Sequence, residues 1–143
     1  MNVTPKDSIS CFQDMLKAKG FRSTKQRLSV YKVLLEKKDH PTADDIFFRV
    51  KEILPTISFA TVYNFLETFV DCGVLNKLNL DQSSSRYCPN LSPHAHFKCT
   101  DSGKIFDLPL SPQTLEEIKS VLPQGFDHSS FDLSFQGTTI VNN

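Results

Sequence analysis

The sequence predicts an α+β fold, with helices in its first half and a small module of strands and one helix in its second. Apolar residues recur at three- and four-residue intervals between Phe12 and Phe69, as in helices that pack on one face. After Pro93 the pattern changes to the alternation expected of strands. Charge divides nearby, with 13 Lys/Arg against 10 Asp/Glu in residues 1–87 and 3 against 6 in residues 88–143. The basic half is therefore the part suited to nucleic acid.

Two helices are predicted at the start from their apolar positions and end signals. The first contains Phe12 and Leu16 and stops at Gly20, a common residue after a helix C-terminus. Thr24 supplies the hydroxyl that caps the second helix. The apolar face of that helix consists of Leu28, Tyr31, Leu34 and Leu35. The two helices are expected to pack together.

A third helix is predicted between Thr42 and Pro55. Thr42 with Asp45 three positions later resembles a capping box, and the acidic residues suit the positive end of the helix. Its predicted buried stripe consists of Ile46, Phe47, Val50, Ile53 and Leu54. Pro55 is expected to end it.

The fourth predicted helix begins after the cap Ser58 and stops at Gly73. Its inner face consists of Val62, Phe65, Leu66 and Phe69. Its outer face consists of Ala60, Thr61, Tyr63, Asn64 and Glu67. Such side chains suit a helix that enters the major groove, where Asn can pair with adenine, although a merely solvated face would look the same.

A hairpin is predicted next, in the position of a wing. Its strands are Leu75–Leu80 and Ser85–Tyr87, on either side of a turn at Asp81–Ser84. Arg86 is placed to reach a DNA phosphate. Residues 1–87 therefore read as a winged helix-turn-helix domain.

The remaining chain is predicted to be a small α/β dimerisation domain at 94–143, after a hinge at 88–93. Its strands cover His94–Cys99, Ile105–Leu108 and the alternating Phe131, Leu133 and Phe135, with a helix that opens at Ser111. These few apolar residues make a poor isolated core. We therefore expect a partner subunit to complete it, as in a homodimer.

Composition excludes several classes of protein. With 39% hydrophobic and 22% charged residues the chain is ordinary globular protein. It lacks an apolar run long enough to span a membrane and begins without a signal-peptide pattern, so we expect a cytoplasmic location and no membrane partner. Its four irregularly spaced cysteines favour thiols or metal ligands over disulfides. Cys11 and Cys72 lie at or beside apolar helical positions and are expected to be buried or half-buried.

Cys88, His94, His96 and Asp107 form a candidate metal site. Alternate residues of a strand share a face, so His94 and His96 can reach one ion. Two imidazoles, one thiolate and one carboxylate suit tetrahedral zinc. A metalloenzyme could use such a set, but no general base or substrate pocket can be named, so catalysis is not expected.

Several motifs together resemble the ferric uptake regulator (Fur) family across nearly the whole chain. They are Arg22-Ser-Thr-Lys-Gln-Arg27, His40-Pro-Thr-Ala-Asp-Asp-Ile46, Ile57-Ser-Phe-Ala-Thr-Val-Tyr-Asn64, Ser84-Ser-Arg-Tyr87, His94-Ala-His96 and Gly103-Lys-Ile-Phe-Asp107. Asn64 and Asp107 are most similar to the peroxide-sensing branch, PerR.

The resemblance implies a metal-dependent repressor that binds a palindromic double-stranded DNA operator as a homodimer. It also implies one regulatory Fe²⁺, Mn²⁺ or Zn²⁺ per subunit, held between the domains. The implied ligands are His40, Cys88, His94, His96 and Asp107. The predicted DNA-contacting residues are Arg22, Thr24, Arg27, Ser58, Thr61, Tyr63, Asn64 and Arg86.

Two departures from the family pattern leave the signal open. Cys88 stands where PerR has Asp, and it resembles the cysteine of zinc-sensing (Zur) members. Zinc sensing therefore remains an alternative to peroxide sensing. The family's first structural-zinc pair reads Cys99-Thr-Asp-Ser102 here, and the sequence shows no second pair, so no structural zinc is expected. Cys99 is then either a core residue or an oxidisable thiol. A constitutive winged-helix regulator with a degraded sensor is the remaining alternative.

Overall fold

The computed structural model of the chain describes residues 5–80, 84–128 and 130–140. The polypeptide divides into two compact units, one ending at Leu91 and the other starting at Ser92. Within the described ranges, each unit contains both helices and strands, which confirms the α+β class. No helix in those ranges has the length and apolar character needed to cross a membrane.

The first unit is formed by four helices followed by a two-stranded sheet. The helices are α1 (Pro5–Ala18), α2 (Lys25–Glu36), α3 (Ala43–Lys51) and α4 (Phe59–Asp71). The strands are β1 (Asn76–Leu78) and β2 (Arg86–Cys88), paired antiparallel with Lys77 opposite Tyr87. This is the predicted hairpin, with shorter strands; positions 81–83 of its predicted turn lie outside the described residues.

The core of the first unit is centred on three aromatic rings. Phe12 of α1 stacks on Tyr31 of α2, with ring centroids 4.2 Å apart, and meets Phe69 of α4 edge-on at 5.0 Å. All three side chains are buried, with Leu16 and Leu34 fully enclosed in the same cluster. The predicted packing of the first two helices on one another is confirmed.

Local end signals are correctly predicted. Thr24 and Ser58 cap α2 and α4, and Thr42 forms a complete capping box with Asp45 on α3. Gly73 follows α4 with φ +79°, in the left-handed region that favours glycine. Such caps depend on a few adjacent residues, which is why the sequence alone identifies them.

Two sequence expectations in this unit are wrong and one is incomplete. α3 ends at Lys51, about one turn earlier than Pro55 suggested, so Ile53 lies beyond it and is 54% exposed instead of buried. Val30 and Val33 of α2 are buried core residues, although neither was included in the predicted apolar face. Cys11 is exposed, because it lies outside the buried stripe of α1, whereas Cys72 is buried as expected.

The second unit is a three-stranded sheet with one helix. Its strands are β3 (His94–Cys99), β4 (Ile105–Pro109) and β5 (Ser134–Gly137), in the order β4-β3-β5. β4 is antiparallel to β3, whereas β5 is parallel to it. The last strand was predicted around Phe131–Phe135, so it begins later than expected. The helix α5 (Pro112–Lys119) is capped by Ser111 as predicted.

Apolar side chains are left at the surface of the second unit. None of the described residues of α5 is buried. Phe106, Val121, Phe126 and Phe135 are 44%, 79%, 68% and 49% exposed. An exposed apolar area of this kind marks a surface that associates with another molecule.

Candidate functional site

The first unit carries two of the predicted metal ligands, His40 and Cys88. His40 precedes α3 and is buried with φ +53°, a left-handed conformation that costs a non-glycine residue roughly 1–2 kcal/mol. Cys88 is the buried last residue of β2. The backbone N–H of Tyr87 donates to Pro41 O at 2.9 Å, which holds the His40 segment beside β2. A ring nitrogen of His40 and Sγ of Cys88 lie within 4.8 Å of each other.

The second unit brings three further donors together on β3 and β4. Nε2 of His94 and Nε2 of His96 are 3.0 Å apart. Asp107 is paired opposite His96, and its Oδ1 lies 3.3 Å from His96 Nε2 and 3.6 Å from His94 Nε2. Nδ1 of His94 is 2.6 Å from Ser92 O, and because a carbonyl can only accept, Nδ1 carries the proton. The Nε2 atom of a neutral His94 then presents its lone pair, as a metal ligand must.

The spacing of these three donors matches a metal coordination shell. Metal–ligand bonds of about 2.0–2.1 Å give donor–donor distances of about 3.3–3.4 Å in a tetrahedron and about 3.0 Å in an octahedron. The observed separations of 3.0, 3.3 and 3.6 Å span both values. The triangle therefore fits a divalent cation and leaves open whether the ion is zinc, iron or manganese.

The outer face of α4 carries the predicted base-reading residues. Tyr63 and Asn64 are exposed, while Glu67 is half-buried. Phe59, at the first turn, stacks on Tyr63 with centroids 6.3 Å apart, and both rings are 40% exposed. Sequence reasoning missed Phe59, although an aromatic ring at the start of such a helix could contact a thymine methyl group.

Three of the predicted DNA contacts have a role inside the fold. Thr24 Oγ1 accepts from the backbone N–H of Arg27 at 3.1 Å. Ser58 Oγ accepts from the backbone N–H of Thr61 at 3.1 Å and lies 2.9 Å from the Thr61 hydroxyl. Thr24 and Ser58 cap their helices and Thr61 bonds to Ser58, so a contact of any of them with DNA stays a prediction.

The predicted phosphate-binding arginines differ in their surroundings. Arg22 is exposed. The Arg27 guanidinium lies over the rings of Phe21 and Phe65, at 5.6 and 5.4 Å from their centroids, and donates to Arg22 O. Arg86 is half-buried and its Nη1 donates to His40 O at 3.0 Å. Arg22 is thus the most available of the three for a phosphate.

A polar cluster that sequence reasoning missed joins α4 to the hairpin. Lys77 Nζ on β1 and the Tyr87 hydroxyl on β2 both donate to Glu67 Oε1, at 3.0 and 3.3 Å. Burial first, and then the neighbouring Glu67 carboxylate, raise the pKa of Tyr87 well above its ordinary value. The helix and the strand that ends in Cys88 are therefore linked through Glu67.

Cys99 has a feature of each of its two alternative roles, core residue and oxidisable thiol. Its side chain is buried, as for a core residue. Hydrogen bonds from Ser102, first from its hydroxyl and then from its backbone N–H, lower the pKa of the Cys99 thiol from 9.0 to about 7, although burial opposes the shift. A thiolate at neutral pH is the oxidisable form of cysteine. The choice between core residue and oxidisable thiol stays open.

Comparison with known proteins identifies related chains. The ferric uptake regulator family model matches residues 18–136. The "Peroxide-responsive repressor PerR" of Staphylococcus aureus is 40% identical over 92 residues, which are 64% of this chain and 62% of that protein. The chain thus spans somewhat less than two thirds of the length of the curated relatives it matches.

Solved structures show the same architecture. The Campylobacter jejuni peroxide stress regulator is 29% identical, with a TM-score of 0.73 over 91% of this chain and 97% of that one. A ferric uptake regulator from Francisella tularensis with iron is 27% identical, with a TM-score of 0.69 over 85% and 93%. The Helicobacter pylori ferric uptake regulator, described with three functional metal-binding sites, is 21% identical with a TM-score of 0.77 over 98% and 95%, a likeness of fold.

Proposed function

Because this chain belongs to the ferric uptake regulator family, we propose that it is a metal-dependent, DNA-binding transcriptional repressor. The observation that carries the proposal is the triangle of His94 Nε2, His96 Nε2 and Asp107 Oδ1 on neighbouring strands. Imidazole and carboxylate are ligand types that Fe²⁺, Mn²⁺ and Zn²⁺ share. The family is one of regulators, and we assign the chain no catalytic activity and a cytoplasmic location.

One divalent cation per chain is the proposed cofactor. By the resemblance to the family, His40 and Cys88 of the first unit would complete the ligand set begun by the triangle. The ion would supply a rigid connection between ligands of both units, since the five side chains come from four separate segments: the turn before α3, β2, β3 and β4. The Francisella tularensis relative described with iron supports an ion of this class.

The proposed DNA contacts lie on α4 and around the first unit. Asn64 and Tyr63 are placed to read bases, and Arg22 is placed to bind a phosphate. Thr24 and Ser58 cap their helices and Thr61 bonds to Ser58; these three residues and the partly enclosed Arg27 remain proposed contacts.

A homodimer on a palindromic operator is the proposed assembly. The second unit leaves large apolar side chains at its surface, among them Phe126 and Phe135. Covering them with a second copy would bury the apolar area that the small sheet does not bury alone. A two-fold symmetric dimer presents two α4 helices and therefore matches two half-sites related by symmetry.

Peroxide is the proposed signal and zinc supply is the second candidate. Asn64 and Asp107 match the peroxide-responsive branch, and the S. aureus relative carries that description. The buried thiol of Cys88 favours zinc, because thiolate is a softer ligand than carboxylate. With zinc, which has no redox chemistry of its own, peroxide would act only through the thiol.

DNA binding with and without metal tests the proposal. An operator is first selected from randomised duplexes by the full chain in Mn²⁺ or Zn²⁺, and its affinity is then measured by fluorescence anisotropy with and without chelator. We expect chelation and His96→Ala to weaken binding alike. His128→Ala removes a histidine outside the ligand set and should bind as the native chain does. Equal affinity of the native chain in metal and in chelator would instead mean a constitutive regulator with a degraded sensor.

A further inference from the structure

We propose that Arg86 is a positioning residue for the metal ligand His40 and not a phosphate contact. The inference rests on the proposed metal site. Arg86 Nη1 donates to the backbone oxygen of His40 at 3.0 Å, across 46 positions of sequence. A guanidinium nitrogen that is bonded to this carbonyl is not available for the DNA phosphate that the sequence suggested as its partner.

His40 is a residue whose backbone needs external support. Its φ of +53° lies in the left-handed region, which residues other than glycine rarely occupy. It also precedes Pro41, and residues before proline favour extended conformations. Such a conformation persists when the surroundings determine it, so contacts to this residue decide where its imidazole lies.

The segments on both sides of His40 are held independently. The Asp39 carboxylate pairs with the Arg49 guanidinium of α3 through two bonds of 3.0 and 2.7 Å. Pro41 O accepts from the backbone N–H of Tyr87 at 2.9 Å. Arg86 acts on the residue between them, so its bond is made directly with the strained residue.

The same strand carries the second ligand of this unit. Residues 86 and 88 lie two apart on β2, so the side chains of Arg86 and Cys88 leave the strand on the same side. Thr42 forms a bridge with Arg86, which aligns the start of α3 with β2. Arg86 therefore sets the separation of His40 from Cys88, whose donor atoms lie within 4.8 Å.

Zinc affinity and the salt dependence of DNA binding distinguish positioning from phosphate contact. The variants are Arg86→Gln and the matched control Arg22→Gln, each measured by Zn²⁺ competition with a chromophoric chelator. The same proteins, saturated with Zn²⁺, are titrated with a random-sequence duplex over a range of salt concentrations. We expect Arg86→Gln to weaken Zn²⁺ binding about 10–100-fold, which is the usual effect of losing a residue that orients a metal ligand. The slope of log DNA affinity against log salt concentration, the salt slope, should not change in this variant. Arg22→Gln should bind Zn²⁺ normally and lower the slope by about 1.

Native zinc affinity in Arg86→Gln, or a lower salt slope in that variant, would overturn the proposal. Circular dichroism in chelator establishes that the variant is folded. If Arg86→Gln is not folded, Arg86→Lys takes its place. The flexible ammonium of lysine orients a carbonyl poorly, so the zinc affinity of this variant must still fall. A phosphate contact, by contrast, would tolerate lysine. Failure of the native chain itself to bind Zn²⁺ would overturn the proposed metal site as well, and the native measurement identifies that case.

Discussion

Replacing Tyr87 by Phe tests the link between the recognition helix and the strand that carries Cys88. Tyr87 is 1% exposed, and its hydroxyl donates to Glu67 Oε1 at 3.3 Å. Phenylalanine fills the same space without the oxygen, so the change removes one hydrogen bond and creates no large cavity. The bond is long for two oxygens. We therefore expect a loss of about 1 kcal/mol in the free energy of unfolding at neutral pH.

Alkaline pH should cancel the effect of Tyr87→Phe on stability. The pKa of Tyr87 is raised above its ordinary 10.0 by burial first and by Glu67 next, so the folded chain keeps a proton that the unfolded chain gives up. Stability from this group is complete below pH 10 and is lost as pH rises above it. At pH 11 ionisation of the unfolded tyrosine costs the native protein about 1.4 kcal/mol, a loss the Phe variant escapes. The two proteins should therefore be about equally stable near pH 11.

Urea unfolding followed by far-ultraviolet circular dichroism measures both effects. The expected loss at pH 7 lowers the urea midpoint by roughly 0.3–1 M. Tyr63→Phe is the matched control, because it removes the hydroxyl of an exposed tyrosine and so measures the effect on stability of losing a hydroxyl at the surface. The free energies of unfolding of Tyr87→Phe and of the native protein could instead differ by the same amount at every pH from 7 to 11. The hydroxyl would then have no protonation-dependent contact with Glu67, and the linking role would be refuted.

Three further predictions concern DNA, metal and assembly. Asn64→Ala should cost about 1–3 kcal/mol on the selected operator and little on random duplex, measured by anisotropy; equal losses on both would rule out base reading. Dilute peroxide should oxidise Cys88, His40 or His94 and release DNA only in iron-loaded protein, as seen by mass spectrometry with parallel affinity measurements; an inert site that binds zinc far more tightly than iron would favour zinc sensing. Because Ser102 replaces a zinc-binding cysteine beside Cys99, the protein should remain a folded dimer in strong chelator by sedimentation and circular dichroism, and monomerisation would reveal a structural metal.

The parts of the fold that depend on neighbouring residues could be predicted from the sequence. The caps at Thr42 and Ser58 are examples, because each hydroxyl bonds a backbone N–H three positions later. The end of α3 could not be predicted in this way. Pro55 prevents the helix from continuing past it but does not require the helix to extend that far, so Ile53 was wrongly placed on the buried face. The parallel pairing of β5 with β3 depends on distant contacts and was not predicted.

The candidate site could be predicted in its residue types and only partly in its contacts. The alternation of His94 and His96 places both on one face of β3, and the structure brings both to Asp107. The contact of Arg86 with His40 joins residues 46 positions apart. No local pattern signals such a contact, so a basic residue on a wing strand was assigned to DNA by its charge.

The sheet order of the second unit has a consequence for how the donor triangle is assembled. His96 pairs with Asp107 across a short antiparallel connection, whereas its parallel partner Ser134 lies far along the chain. Closing the longer loop costs about 1 kcal/mol more in chain entropy. On the ribosome, His94, His96 and Asp107 can therefore meet in a hairpin before β5 has been synthesised. The late strand then pairs with a hairpin whose ligand set has already formed.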